Sequence, residues 1–478
     1  MKKLLIFSLF IGFAVTSCTD DITDYNQDPK SPAEVPAATT FSNAEKNLGD
    51  LMTEVNSGRN LLKLWTQHWT ETTYNDEANY QIIGRDPSDG FWVRIYTNIL
   101  QDLQSSREAI AADDFLADDV KANQLAIIDV LEVYSYQTLV DLNGDVPYSE
   151  ANMVNETFTP AYDDAFTIYK DLISRISSDI ETLSNGGASW GSADIYYGGD
   201  TAKWAKFAAS LKLRLGMRLA DFDETLASTT VNEAFNAGVM TSSDDSAIIN
   251  YEGSAPNTNP IYNLFVLNNR FGDYVAGETS VEYLKSVNDP RIDDFFTTTA
   301  DGEYVGGPIG GNNSYANYSH ISEDIVFEPT YEGAIFQYFE VEFFLAEAIE
   351  RGFISGDAQE HYEAAVTANI LYYNGTEEEA STYLSQDGVA YNSSNWEELI
   401  GTQKWIALFN RGFEGWTEWR RLDYPDFLVN SELSDQPVPL RIFYPTNEIA
   451  LNEENYRAAV QNIGGTDDLY TKIFWDVQ

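Results

Sequence analysis

The sequence predicts a mostly α-helical protein with long irregular loops set into it. Three observations carry this. Apolar residues recur every three or four positions over several long windows, which gives a helix one apolar face. Helical windows follow one another as pairs with short links. Between residues 240 and 332 the periodicity fails, and Gly, Asn, Ser and Pro cluster instead.

The helices can be justified in chain order. Leu125, Ile128, Leu131 and Tyr134 mark the first clear one. Phe166, Tyr169, Ile173, Ile176, Ile180 and Leu183 mark the next, with Asp163 and Asp164 suited to its positive N-terminal end and Asn185-Gly186-Gly187 as its stop. Trp204, Phe207, Leu211, Leu215 and Leu219 repeat the pattern. Late in the chain Phe336, Phe339, Phe343, Ala346 and Ile349 do so again, ending near Gly352, with Asp357 to Tyr373 as the partner. In size and texture these pairs resemble tetratricopeptide-like units. SAPNTNP (Ser254 to Pro260) and GGPIGGNNSYANYSH (Gly306 to His320) are loops of the kind that are functional or disordered. Their interleaved tyrosines argue against plain disorder.

The N-terminus reads as a targeting segment. Lys2 and Lys3 precede an apolar run, Leu4 to Val15, which is too short for a spanning helix of roughly 20 residues. Val15, Thr16 and Ser17 then lead to Cys18, the single cysteine of the chain. This resembles a bacterial lipobox, whose cysteine is acylated and becomes the mature N-terminus; the alternative is an ordinary secretory signal. Asp20 and Asp21 resemble the acidic surface-export signal of Bacteroidetes lipoproteins. Residues 1–17 are thus expected to be a signal peptide and 18–40, with Pro29, Pro32 and Pro36, a lipidated tether. Residues 41–478 are expected to form one domain, helical over about 41–240 and 333–425 and loop-rich over about 241–332.

Charge excludes some partners. The chain has 28 basic and 76 acidic residues, a formal charge of −48. Removing residues 1–17 takes away two lysines and no acid. A body this acidic repels nucleic acid and anionic membrane surfaces. Catalytic signatures are missing. His68, His320 and His361 have no metal-ligand spacing. There is neither a Gly-rich phosphate loop nor a Gly-x-Ser-x-Gly elbow. DLNGDVPYSEA (Asp141 to Ala151) alternates acids and amides like the start of a calcium loop, but Gly144 is misplaced for one. A helix exit capped by Gly144 explains the stretch better. Aromatics are plentiful, with 29 Tyr, 26 Phe and 10 Trp, and such side chains suit both cores and sugar faces.

Three motifs point one way. WTETTYNDEANYQI (Trp69 to Ile82), NGDVPYSEA (Asn143 to Ala151), and the C-terminal pair GFEGWTEWRRLDYP (Gly412 to Pro425) and RIFYPTNEIALNEENYRAAV (Arg441 to Val460) resemble the SusD/RagB superfamily. The similarity is to its SusD-like nutrient-binding lipoproteins, and runs from Cys18 to the C-terminus. The resemblance implies tetratricopeptide-like helix pairs as scaffold, with irregular loops building the ligand site. It implies a lipid-anchored protein on the extracellular side of the outer membrane. Such a protein captures a glycan or another nutrient for a SusC-type TonB-dependent transporter. It implies no catalysis and no cofactor. A surface glycoside hydrolase, a structural lid subunit and a peptide-binding member are the alternatives. The hydrolase would need a carboxyl pair about 5–5.5 or about 6.5–9.5 Å apart.

Trp416, Trp419, Arg420 and Arg421 are expected to knit so acidic a fold rather than bind ligand. The ligand site is expected in two loops that mix aromatics with amides. One holds Tyr74, Asn75, Asp76 and Tyr80, with Trp92 shortly after. The other holds Tyr304, Asn312, Asn313, Tyr315, Asn317 and Tyr318. A Tyr/Asn loop is poorly explained by core packing, because an unpartnered buried amide costs about 1–3 kcal/mol.

Overall fold

Helix follows helix because each has its own start and stop signals. In the computed structural model, which describes residues 35–56, 58–153 and 157–478, the principal helices are α1 (Ala37–Thr53), α2 (Gln101–Ala112), α3 (Asp118–Asn143), α4 (Ala165–Ser184), α5 (Thr201–Arg218) and α6 (Glu224–Ala237). They continue as α7 (Tyr338–Glu350), α8 (Ala358–Tyr372), α9 (Glu377–Leu384), α10 (Trp396–Ala407), α11 (Gly412–Leu422) and α12 (Glu453–Asn462). The expected signal peptide and Cys18 lie outside the described residues. Residues 37–40, expected in the tether, form the first turn of α1.

Asp164, Asp200, Asp223 and Asp357 cap α4, α5, α6 and α8 by accepting hydrogen bonds from backbone N–H groups of the first turn. α3 ends at Gly144, whose φ of +92° favours glycine and whose N–H returns to the Val140 carbonyl. The stretch after it is a helix exit. Asp141 meets Arg218, Tyr169 and Trp475; Asn143 donates to the Ile442 carbonyl; and Asp145 accepts from the Ala165 N–H. Phe336 falls outside its expected helix. It closes strand β6, because Gln337 and Glu340 form a capping box that starts α7 at Tyr338.

Neighbouring helices pack as pairs, α3 with α4, α5 with α6, α7 with α8 and α10 with α11. The seam between them is ionic as well as apolar. Arg218 pairs with Glu414 at 2.8 Å and Asp141 at 3.3 Å. Lys404 pairs with Glu418 at 2.6 Å, and Arg421 donates to Glu347 at 2.6 Å. Arg420 lies 3.6 Å over Trp416 and donates to the Leu440 and Asp141 carbonyls. Trp416, Arg420 and Arg421 are buried, and Trp419 is half-buried with its N–H on the Pro425 carbonyl. The C-terminal motif therefore knits the fold, as its charge and position implied.

Among the described residues, six short strands form three antiparallel pairs. β1 (Trp69–Glu71) pairs with β5 (Tyr274–Ala276), β2 (Val146–Pro147) with β3 (Tyr162–Asp163), and β4 (Ala247–Ile249) with β6 (Gly333–Phe336). β4 and β5 lie within the loop-rich stretch and tie it to the helical scaffold. Among the described residues no helix is long and apolar enough to cross a membrane.

Candidate functional site

The two expected loops meet. β1 leads into the 72–80 loop, and β5 lies beside it, joined further by the Thr72 N–H to the Asp273 carbonyl at 2.8 Å. Gly277, just after β5, bridges to Gly307, which brings in the 306–313 turn. Close approach explains two of its glycines. A Cβ on Gly306 would sit 2.4 Å from the Glu278 Cα, and Gly310 combines a φ of +68° with 2.8 Å to the Ala78 carbonyl. Side-chain amides then lace the loops together. Asn79 donates to the Gly310 carbonyl at 2.7 Å across 231 residues of sequence, Asn75 to the Gly311 carbonyl at 3.2 Å, and Asn313 to the Glu71 carbonyl at 2.8 Å.

Tyr74 stands at the apex of the first loop with φ +52° and 59% of its surface exposed. Two guanidiniums flank its ring, Arg85 at 5.8 Å and Arg270 at 5.2 Å from the centroid. Arg85 is held by Glu77 at 2.9 Å and by Asp76 at 3.7 Å, and Arg270 pairs with Asp273. Next to Arg270, Phe271 is exposed and meets Tyr315 edge-on at 5.9 Å. Tyr315 lies flat on His320, with centroids 3.7 Å apart. The His320 Nε2 bonds the Tyr315 carbonyl at 2.9 Å, which fixes the stack. Tyr74 and Phe271 are thus exposed aromatics with guanidiniums beside Tyr74, and Tyr315 is half-buried between Phe271 and His320; flat apolar supports near hydrogen-bond donors suit a hydroxyl-bearing ring.

The other expected residues divide. Asn312 and Asn317 are exposed on the same turn, and Tyr318 is half-buried. Tyr304 is half-buried and donates to Asp293 at 2.6 Å; burial and that carboxylate hold its phenol above the usual range. Asn75 is half-buried and Asp76 exposed. Three residues depart from expectation. Asn313 is buried, and its amide serves as a tie between the loops instead of facing solvent. Tyr80 is 4% exposed, packs edge-on against Trp65 and accepts from Gln67, so it belongs to the core. Trp92 is half-buried against Tyr96, Tyr162 and Tyr444, a separate packing group.

Sequence reasoning missed Arg270, Phe271 and His320. NNRFGDY, Asn268 to Tyr274, has the same mix of amides, cation and aromatics as the loops that were found, and that was the available signal.

A larger hollow of about 730 Å³ lies beside α8, lined by Ser243, Tyr338, Asp357, Glu360 and Glu363 among others. Size alone would favour it. Its charged lining is all acid and Tyr338 is its one aromatic, so it offers a sugar ring little to stack on. The remaining histidines are structural. His68 is buried flat against Trp405, and burial pushes its imidazole down to about 3. His361 pairs with Glu342 at 2.6 Å, a contact that raises it. Among the described residues no cluster of His, Cys, Asp and Glu could hold a metal ion.

Comparison with known proteins agrees with this architecture. The family profile described as "Starch-binding associating with outer membrane", SusD-like, matches residues 29–445. A solved chitin-binding protein superposes with a TM-score of 0.80 at 26% identity, covering 92% of this chain and all of that one. A chitin-binding SusD homologue from Flavobacterium johnsoniae gives 0.79 at 24%, covering 92% and 99%. A SusD-like protein from Bacteroides thetaiotaomicron gives 0.78 at 24%, covering 92% and 98%. No curated protein matches the chain. The match over most of its length places this chain in the SusD-like family of carbohydrate-binding, outer-membrane-associated proteins.

Proposed function

We propose that this protein captures a glycan on its Tyr74–Tyr315 face and performs no chemistry on it. One observation carries the reading: loops far apart in sequence are laced together to bring the exposed Tyr74 and Phe271 and the half-buried Tyr315 to one region, with Arg85 and Arg270 beside Tyr74. Exposing aromatic faces forgoes burial and is rewarded when a ring stacks on them. The family description names starch, and the 26%-identical relative binds chitin, so these two glycans are the first probes.

In this reading Cys18 is acylated and holds the protein on the outer surface, where it delivers ligand to a SusC-type TonB-dependent transporter. The lipobox-like sequence and the family resemblance support both steps. Isothermal titration with starch- and chitin-derived oligosaccharides, alongside chromatography of the same mixtures, tests capture. Binding with no new product is expected, and release of shorter sugars would overturn it. For the anchor, Cys18→Ala is expected to release the protein from outer membranes. For the partner, mild-detergent extraction of the wild type is expected to recover a barrel with it.

A further inference from the structure

A small recess lies at the edge of the Tyr74–Tyr315 face. Its volume is about 20 Å³, and Phe271, Tyr315 and His320 belong both to it and to the face. Four buried side chains, Phe265, Tyr274, Ile321 and Val326, line it from within, with Phe265 stacked on Tyr274 at 5.6 Å. Phe271 and Phe327, 42% and 41% exposed, and the exposed Glu323 set its mouth at the surface. Such a volume takes one methyl group or one water.

The polar groups around the recess are of defined kind. The Tyr315 carbonyl can only accept, so the His320 Nε2 that bonds it at 2.9 Å carries a hydrogen. A neutral His320 ring then offers Nδ1 as an acceptor, and the Glu323 carboxylate is a second one. The Thr297 hydroxyl accepts the His320 backbone N–H at 3.3 Å, which leaves its own hydrogen to donate. Room for one methyl, two acceptors and one donor thus meet within reach of an aromatic face. An acetamido group has the matching parts: a methyl, an N–H and a carbonyl.

We infer that this recess selects the 2-acetamido group of an N-acetylhexosamine while the sugar ring lies against Phe271. The methyl enters beside Phe265 and Val326, the amide N–H meets Glu323 or His320 Nδ1, and the amide carbonyl takes the Thr297 hydroxyl. A plain sugar hydroxyl would leave the inner wall facing water. A 6-deoxy sugar has a methyl but brings neither half of the amide. A longer acyl chain exceeds the space. The inference rests on the glycan reading and names the class of sugar within it.

The test compares the full chain's affinity for three neutral hexamers by isothermal titration: β-1,4-linked N-acetylglucosamine, β-1,4-linked glucose and α-1,4-linked glucose. The two β-linked hexamers differ only at C2, and neither carries a charge that this acidic chain would attract. The acetamido hexamer is expected to bind about tenfold or more tighter than the β-linked glucose hexamer, the discrimination that one methyl-sized pocket supports. Val326→Ile adds one carbon to the inner wall and is expected to bring that ratio toward one. An N-butyryl hexamer offered to the wild type should lose the same gain, and it serves if the variant folds poorly. Equal affinity for the two β-linked hexamers, or tighter binding of the α-linked one, overturns the inference and leaves glycan capture standing. An acetamido preference that survives the filled wall, or extends to the butyryl chain, places selection elsewhere and overturns it too. Binding of none of the three removes both readings.

Discussion

Arginine and aromatic side chains meet in two parts of this molecule with opposite consequences. On the helical seam Arg420 lies 3.6 Å over Trp416, and Arg218 is shared by Asp141 and Glu414; all five are buried. On the loop face Arg85 and Arg270 lie 5–6 Å from Tyr74, and their side chains are 35% and 43% exposed. The residue types are the same. What differs is how completely each cation is committed. A buried guanidinium with all its carboxylates in place has nothing left to offer, and removing a partner strands a charge. An exposed guanidinium beside an open ring keeps donors for a visitor.

The sharpest way to break the comparison is at the seam. Glu414→Ala leaves Arg214 and Arg218 without a shared carboxylate, and a loss of about 3–5 kcal/mol in urea unfolding is expected. A loss below about 1 kcal/mol, the value of an exposed pair, would erase the distinction between seam and face. Next comes the tie between the loops. Asn313→Ala removes hydrogen bonds to the Glu71 and Pro308 carbonyls, and should cost about 1–3 kcal/mol. Hydrogen exchange should place that loss in the 306–313 turn rather than in the helices.

The face itself should respond in affinity. Tyr74→Ala with Tyr315→Ala should weaken whichever oligosaccharide binds by about tenfold or more, at about 1 kcal/mol for each lost stack, with little change in melting temperature. A collapsed melting temperature would mean that these rings pack rather than recognise. The last effect is one of shape. Arg421 and Arg351 hold the Glu347 carboxyl down to about 2, and Arg214 and Arg218 hold Glu414 at about 2, against an ordinary 4.5. The native protein keeps charges there that the unfolded chain gives up, so stability should fall as pH drops from about 4.5 toward about 2. Glu347→Gln should flatten that acid slope in a titration of unfolding midpoint against pH.

The same contrast explains what the sequence reveals. α4 and α5 are legible because a helix repeats its buried face every three or four residues, and for α4 the Asp164 cap and the Asn185-Gly186-Gly187 stop mark its ends. The Trp-Arg-Arg run is legible as structure because so acidic a chain has few cations to use. Loops have no such period. Tyr74 and Tyr80 share one loop and a left-handed backbone, yet one is exposed and the other lies against Trp65. Asn312 and Asn313 are adjacent, and only the second turns inward. Composition identified both loops. Their joining to each other, and the arrival of Arg270, Phe271 and His320, depend on β1 pairing with β5, a contact between remote segments that no local pattern encodes.

The placement of the cations has a consequence beyond the fold. Arg214, Arg218, Arg291, Arg411, Arg420, Arg421, Arg441, Lys63, Lys212 and Lys404 are all buried in a chain whose formal charge is −48. The other basic residues of the 28 are far outnumbered by the 76 acids. Copies crowded on one surface would therefore push each other apart, over a range set by the Debye length of about 8 Å in physiological salt. Each molecule would keep a margin of open water around its face, wider in dilute media and narrower in brine. Neutral chains could diffuse through that margin, while polyanions would be turned back before reaching a tyrosine.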